Sequence, residues 1–264
     1  AANYNMGWHS KGGHDRTFGT NAKAWDWCSV NNAGFEYYQN AKKDGIGLPP
    51  HNPRIWVFRH QSNASCAPML RRVWHPIGYS SNSGWSNFFI NITAGRLLTY
   101  TNTLLKFALP DIVIGTGGGY NTYDIYESVN HELSHASHFN KVGSAFWAKY
   151  VNYIITYGKK YDHPYGDASC NNSGFCGVGE MWGYAMGYIR TYEKYQQKPK
   201  NGQSKWFQPN LLYDLMTEKI LTKKQIFDCL SSDVTSHALL KQKMISRYPS
   251  KKDSIIAKFS RYGF

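Results

Sequence analysis

One uninterrupted stretch, 124–139, contains neither proline nor glycine and carries apolar residues at helical spacing, which predicts an amphipathic helix. His131 and His135 lie four positions apart within it, so the helix would present both imidazoles on one face, where they can bind a single metal ion. Glu132 follows the first histidine and can take a proton from a metal-bound water molecule. These three residues predict a catalytic metal site on this helix.

A catalytic zinc ion usually has three protein ligands, which leaves one position for water. The preferred third ligand is Glu180, which lies at the start of a later predicted helix, where Gly179 and Gly183 would allow close approach to the metal-binding helix. The rival is His138, which lies seven positions after His131 and so on nearly the same helical face. Three ligands spread along about 10 Å of one helix fit tetrahedral zinc poorly, and this favours Glu180.

Two imidazoles and one carboxylate bind zinc in hydrolases and iron in non-haem oxygenases, and the H-E-x-x-H helix favours zinc. The stretch 124–190 resembles the gluzincin group of zinc metallopeptidases, in which the motif helix supplies two histidines and a later helix supplies a glutamate. The resemblance implies a Zn2+ cofactor held by the motif histidines and Glu180, peptide or protein substrates, and Glu132 as general base. Thermolysin-like members carry an acidic residue where this chain has Tyr184, a departure that argues against close kinship with thermolysin.

Hydrolysis of an amide bond also calls for a donor that stabilises the oxyanion. The candidates near the predicted site are Tyr161, His163, Tyr165 and Tyr184. With 20 tyrosines in the chain, most of them will pack in the interior or lie at the surface. The sequence does not select one of the four.

Periodicity predicts a mixture of helix and strand in the first half of the chain and helices in the second. After an irregular segment, 1–29, the expected elements are a helix 31–43, a strand 54–58, a helix 94–109, a strand 111–115, and helices 124–139 and 144–157. A polar loop, 158–177, precedes helices 179–195, 210–219, 223–230, 234–248 and 251–261. The fold class that follows is α+β: one zincin-like catalytic domain, 1–264, with an N-terminal α/β lobe, 1–140, that carries the motif helix, and a mainly helical C-terminal lobe, 141–264.

The charge balance favours anionic partners. The net charge is +13 and the isoelectric point is near 9.4, which would attract an acidic glycan or a cell-envelope polymer. Absence of a Cys-Cys-His-His finger, a Walker loop or an RNA-binding signature argues against nucleic acid. No apolar run approaches the roughly 18 residues of a membrane-spanning helix, so no membrane span is expected.

Cysteine placement bears on the cellular compartment. Cys170 and Cys176 flank a loop rich in glycine, asparagine and serine, which could close as a small disulfide ring. Such a ring is typical of a secreted, periplasmic or cell-surface protein. The alternative is that all five cysteines are free thiols.

Two other functions fit the same sequence. The zinc site could serve a non-peptidase amidohydrolase that acts on a cell-wall peptide or another amide. A secreted protein that binds glycans or envelope polymers would instead explain the 16% aromatic residues and the positive charge. Metal dependence distinguishes the zinc hydrolases from the binding protein, because polymer binding would persist when His131 is replaced.

Overall fold

Helices make up most of the structure, a computed structural model that describes residues 18–59, 65–73, 110–117, 119–161, 165–199 and 205–264. In chain order the elements are α1 (Lys23–Asp44), β1 (Ile55–Phe58), α2 (Leu70–Val73), β2 (Ile112–Gly115), α3 (Thr122–Tyr161), α4 (Ser173–Tyr195), α5 (Asn210–Thr217), α6 (Lys223–Cys229), α7 (His237–Arg247), a 3-10 turn (Pro249–Lys251) and α8 (Lys252–Arg261). The coarse prediction of many helices with a small amount of sheet is confirmed.

The two strands form a parallel pair, with Ile55 opposite Ile112. Cys66 adds an isolated antiparallel bridge to Val113 on β2. All four residues of β2 are buried, as expected of a short apolar strand that is covered on both faces. β2 also packs against α3, so the sheet supports the helix that carries the histidine motif.

The first helix begins earlier than expected. α1 starts at Lys23, so the prediction of an irregular segment over 1–29 is wrong from that residue onward. Ala24 and Val30 are buried in the core, and burial of one helix face supplies the stabilisation that local composition does not suggest. The helix ends at Gly45, whose φ of 68° places it in the left-handed conformation that glycine adopts readily.

The start of α4 corrects a second prediction. The helix begins at Ser173, inside the polar loop expected over 158–177. Gly174 contributed to that loop prediction, but here it serves close packing, because a Cβ atom at this position would lie 1.9 Å from the carbonyl oxygen of Thr235. Tertiary contact outweighs the low helix propensity of glycine in this turn.

The long helix α3 contains both of the helices expected at 124–139 and 144–157. They meet at Gly143, whose φ of 82° and ψ of 174° interrupt the helical backbone. The most extensive helix packing in the described part of the chain is between α3 and α4. There the indole N–H of Trp182 donates a hydrogen bond of 3.2 Å to the carbonyl oxygen of Ser134.

The four short helices expected after residue 210 are confirmed as α5 to α8, with boundaries that differ by a few residues at most. The helix expected over 94–109 lies outside the described residues. The division into lobes 1–140 and 141–264 stays a prediction.

All five cysteines fall in the described residues, and no disulfide forms among them, so the expected ring between Cys170 and Cys176 is wrong. The physical reason is the early start of α4, which carries Cys176 into the helix and buries it in the core. No helix among the described residues is long and apolar enough to cross a membrane.

Candidate metal centre

The histidine motif forms a buried cluster on α3. His131 and His135 lie one turn apart on the helix, and their Nε2 atoms are 2.9 Å from each other. Oε1 of Glu132 lies 3.9 Å from Nε2 of His131. One ligand atom from each of the three residues falls within 4.8 Å of the others. The predicted convergence of these side chains is therefore present.

Glu180 reaches the same point from α4. Its Oε2 atom lies 3.5 Å from Nε2 of His131 and 3.6 Å from Nε2 of His135. Tetrahedral zinc with bonds of about 2.0–2.2 Å holds its ligand atoms about 3.3 Å apart. The three distances among these nitrogen and oxygen atoms lie on either side of that value, so the donor set fits zinc in both chemistry and spacing.

Gly183 explains how α4 comes so close. A Cβ atom at Gly183 would lie 2.7 Å from Nε2 of His135 and 3.1 Å from Nε2 of His131. Any larger residue would therefore displace the imidazoles. The nearest neighbour of a Cβ atom at Gly179 would be the Tyr150 ring, at 3.3 Å, so of the two glycines named from the sequence Gly183 is the one that lies against the motif imidazoles.

Both carboxylates of the site contain an oxygen that lacks a hydrogen-bond donor. Oε2 of Glu132 and Oε2 of Glu180 are buried and accept no hydrogen bond in the described structure. Neither carboxylate forms an ion pair with a described lysine or arginine; their charged contacts are with the two histidines. Burying carboxylates in this way is costly unless a cation accompanies them, and a metal ion would supply that cation.

Burial sets the protonation of the cluster. It lowers the pKa of His131 to about 4, an effect that the neighbouring His135 reinforces. The His131 imidazole is therefore neutral at pH 7, which is the form that binds a metal ion. Burial also raises the pKa of Glu132 well above its usual value, and the charge of Glu180 raises it further.

Aromatic side chains enclose the cluster. The Tyr150 hydroxyl donates a short hydrogen bond to Oε1 of Glu180, which leaves Oε2 of Glu180 facing the histidines. The Tyr184 ring stands edge-on to the ring of His131, with centroids 4.4 Å apart. The hydroxyl of Tyr184 forms a hydrogen bond of 2.8 Å with that of Tyr165.

The rival ligand His138 lies elsewhere. Its side chain is fully buried, with ring centroids 5.3 Å from Phe146 and 5.8 Å from Trp147. Neither ring nitrogen has a hydrogen-bond partner among the described residues. Glu180, by contrast, approaches both motif imidazoles, at 3.5 and 3.6 Å.

Of the four oxyanion candidates, Tyr165 and Tyr184 lie beside the cluster, whereas the side chains of Tyr161 and His163 are outside the described part of the chain. Two residues beside the site were not predicted from the sequence: Tyr150, which lies in the helix expected over 144–157, and Lys205, whose ammonium lies 4.6 Å from the centre of the Tyr184 ring. No sequence pattern marks either residue.

Comparison of the chain with known protein families, with curated proteins and with solved structures gave no match.

Proposed function

We propose that this protein is a zinc-dependent metallopeptidase, with His131, His135 and Glu180 as the metal ligands and Glu132 as the general base. The observation that carries the proposal is the meeting of three ligand atoms from two helices beside a second buried carboxylate that no described lysine or arginine neutralises. An H-E-x-x-H helix with a glutamate as third ligand is the donor set of a hydrolytic zinc site.

The three proposed ligands come from two packed helices, α3 and α4, and a zinc ion with three protein ligands would keep one position for water. Bound zinc would polarise the scissile carbonyl group and lower the pKa of its water molecule toward about 7. Glu132 accepts the proton of the attacking water through Oε2, which no described donor occupies. The same carboxyl group then passes the proton to the leaving amine. Tyr150 holds the carboxylate of Glu180 in position through its hydroxyl.

Glu132→Gln tests the proposal most directly, because the amide keeps the shape of the side chain but cannot accept a proton. We expect kcat/KM on a fluorogenic peptide mixture to fall by about 100- to 10,000-fold, whereas elemental analysis still finds one zinc ion per chain. Glu218→Gln is the matched control, since Glu218 pairs with Lys258 on the C-terminal helices and should leave both values unchanged. Full activity in Glu132→Gln, or a wild-type protein that binds no zinc, would disprove the proposal.

The same site could act on an amide other than a peptide bond, and the net charge of +13 favours an anionic polymer of the cell envelope as the alternative substrate. This alternative also keeps the proposed location outside the cytoplasm, in a secreted, periplasmic or cell-surface protein. A panel of cell-wall peptides and acidic glycans, assayed beside the peptide mixture, distinguishes the substrates. Polymer binding that persists in His131→Ala would instead indicate a binding protein.

A further inference from the structure

Lys205 stands beside the proposed metal centre without an acidic partner. Its ammonium group lies 4.8 Å from the centre of the Tyr165 ring, 4.6 Å from that of Tyr184 and 5.9 Å from that of Phe207. No carboxylate in the described part of the chain forms an ion pair with it. Two other lysines that are largely withdrawn from water do have such partners: Lys258 pairs with Asp214 and Glu218, and Lys223 pairs with Asp44 and Glu193.

The same aromatic residues connect Lys205 to the metal ligands. Tyr184 touches Lys205 with its ring face and packs edge-on against His131 at 4.4 Å. Tyr165 and Tyr184 share a hydrogen bond between their hydroxyls, and the Lys205 ammonium lies over both rings. These three residues are partly exposed to solvent, whereas the proposed metal ligands are buried.

The electrostatics of this cluster favour an incoming anion. Burial lowers the pKa of Lys205, and the charge of Glu180 opposes that effect. A carboxylate placed against the ammonium would favour its charged form further. Because one hydroxyl of the Tyr165–Tyr184 pair donates to the other, the second hydroxyl can donate its proton to the same carboxylate, and the aromatic rings keep water from competing.

We propose that Lys205, together with the free O–H of the Tyr165–Tyr184 hydroxyl pair, binds a carboxylate of the substrate next to the scissile bond. The inference rests on the proposed peptidase function and narrows its substrate class to peptides that carry a negative charge beside the cleaved bond. The carboxylate has two sources, the free C-terminus of a peptide and the side chain of an aspartate or glutamate. The role is one of binding, separate from proton transfer by Glu132.

Three peptides with one core sequence distinguish the sources: one ends in a free carboxylate, one ends in an amide, and one ends in an amide but has aspartate next to the scissile bond. We expect the wild-type protein to cleave one of the two acidic peptides with a kcat/KM about 10- to 100-fold above that of the neutral peptide, the range that a charge-assisted hydrogen bond supports. The preferred peptide identifies the source. Equal rates on all three would overturn the proposal.

Lys205→Met removes the charge but keeps an aliphatic side chain against the rings. We expect the ratio of acidic to neutral kcat/KM to fall toward one, and Lys205→Arg to preserve most of it. Lys241→Met is the control, because Lys241 also lies over an aromatic ring, that of Phe259, but on the C-terminal helices. If Lys205→Met lowers the rates on all peptides by one factor, the ratio stays intact, the lysine acts on the oxyanion, and carboxylate recognition is excluded.

A binding measurement separates this inference from the proposed function. Reduced-amide analogues of the three peptides, in which CH2–NH replaces the scissile amide, cannot be hydrolysed. Calorimetric titration should show that the wild-type protein binds the preferred acidic analogue at least 10-fold more tightly than the neutral one, and that Lys205→Met does not. Carboxylate preference in a protein without zinc would sustain the binding site while the peptidase proposal fails. Equal affinities for the acidic and neutral analogues, in a protein that binds zinc, would overturn the carboxylate site and leave the peptidase proposal intact.

Discussion

Asp111 and Glu180 are both buried carboxylates, with exposures of 0% and 3%, but only Asp111 forms ion pairs with described arginines. Oδ2 of Asp111 accepts hydrogen bonds from the backbone N–H of Arg54, at 2.9 Å, and from the guanidinium of Arg71, at 2.8 Å. Its Oδ1 lies 3.2 Å from Nε of Arg72. The protein thus supplies two cations and a backbone donor to the carboxylate that precedes β2.

Glu180 forms no ion pair with a lysine or arginine of the described residues; its charged contacts are with His131 and His135. One oxygen accepts a hydrogen bond from Tyr150, and the other faces His131 and His135 without a donor. A carboxylate that is paired with arginines stabilises the fold around it, whereas one that is buried beside two histidines and has no arginine or lysine partner can accept a cation from outside. The comparison supports the proposal that Glu180 binds a metal ion, whereas Asp111 acts in folding, and these two roles should respond to different substitutions.

The largest expected effect is that of Glu180→Gln on zinc. The amide removes the negative charge, so we expect zinc affinity, measured by competition with a chelator, to fall by at least about 100-fold. The metal-free protein should change little in stability toward urea, because the cost of burying the Glu180 charge offsets the attraction of the two histidines that lowers the pKa of Glu180. If the metal-free variant is clearly less stable and its zinc affinity is retained, Glu180 acts in folding, as Asp111 does, and not in metal binding.

Gly183→Ala tests whether the metal site requires the absence of a side chain at position 183. The new methyl group would lie 2.7 Å from the His135 ring, and the imidazole has to move to accommodate it. We expect a loss of about 100-fold in zinc affinity, similar to that caused by perturbing a supporting residue, with a small change in stability. Gly34→Ala on α1 is the matched control, because its nearest neighbour is Leu133 at 3.8 Å. It should leave zinc affinity unchanged and raise stability by up to about 1 kcal/mol.

Asp111→Asn should lower the stability of the fold and leave zinc affinity unchanged. The neutral amide weakens both arginine contacts and turns either an oxygen or an N–H group toward the backbone N–H of Arg54. Since Arg71 and Arg72 are about one quarter exposed, water can solvate them, and we expect a loss of about 2 kcal/mol in the free energy of unfolding. Zinc affinity in the folded protein should equal that of the wild type. An affinity reduced more than 10-fold would show that the two regions are coupled through the sheet.

Sequence spacing was sufficient to predict the motif cluster, because four positions on a helix fix two side chains on one face whatever surrounds them. His131, Glu132 and His135 needed no tertiary information. Glu180 could also be predicted, because the glycines beside it indicated that its helix approaches the motif helix closely. The distance of its oxygen from both imidazoles depends on how α4 packs on α3, and only the structure supplies it.

Predictions failed where packing decides the backbone. The early starts of α1 and α4 depend on burial against distant segments, such as Thr235 beside Gly174. Such contacts cannot be deduced from local composition. The disulfide prediction failed for the same reason, because the helix that Cys176 enters was expected to begin later. Tyr150 and Lys205 are single members of common residue types, and their places beside the site follow from tertiary structure alone.

The smallest expected effect distinguishes a ligand from the residue that positions it. Tyr150→Phe removes the hydroxyl that donates to Oε1 of Glu180 but leaves the carboxylate and both imidazoles, so we expect zinc affinity to fall by only about 10-fold. Tyr153→Phe is the control, because its hydroxyl donates to the carbonyl oxygens of Tyr165 and Asp167 instead. If Tyr150→Phe weakens zinc binding as much as Glu180→Gln, the hydroxyl is as important as the charge. In that case, the contrast with Asp111 would rest on hydrogen bonding to the carboxylate and no longer on the missing cation.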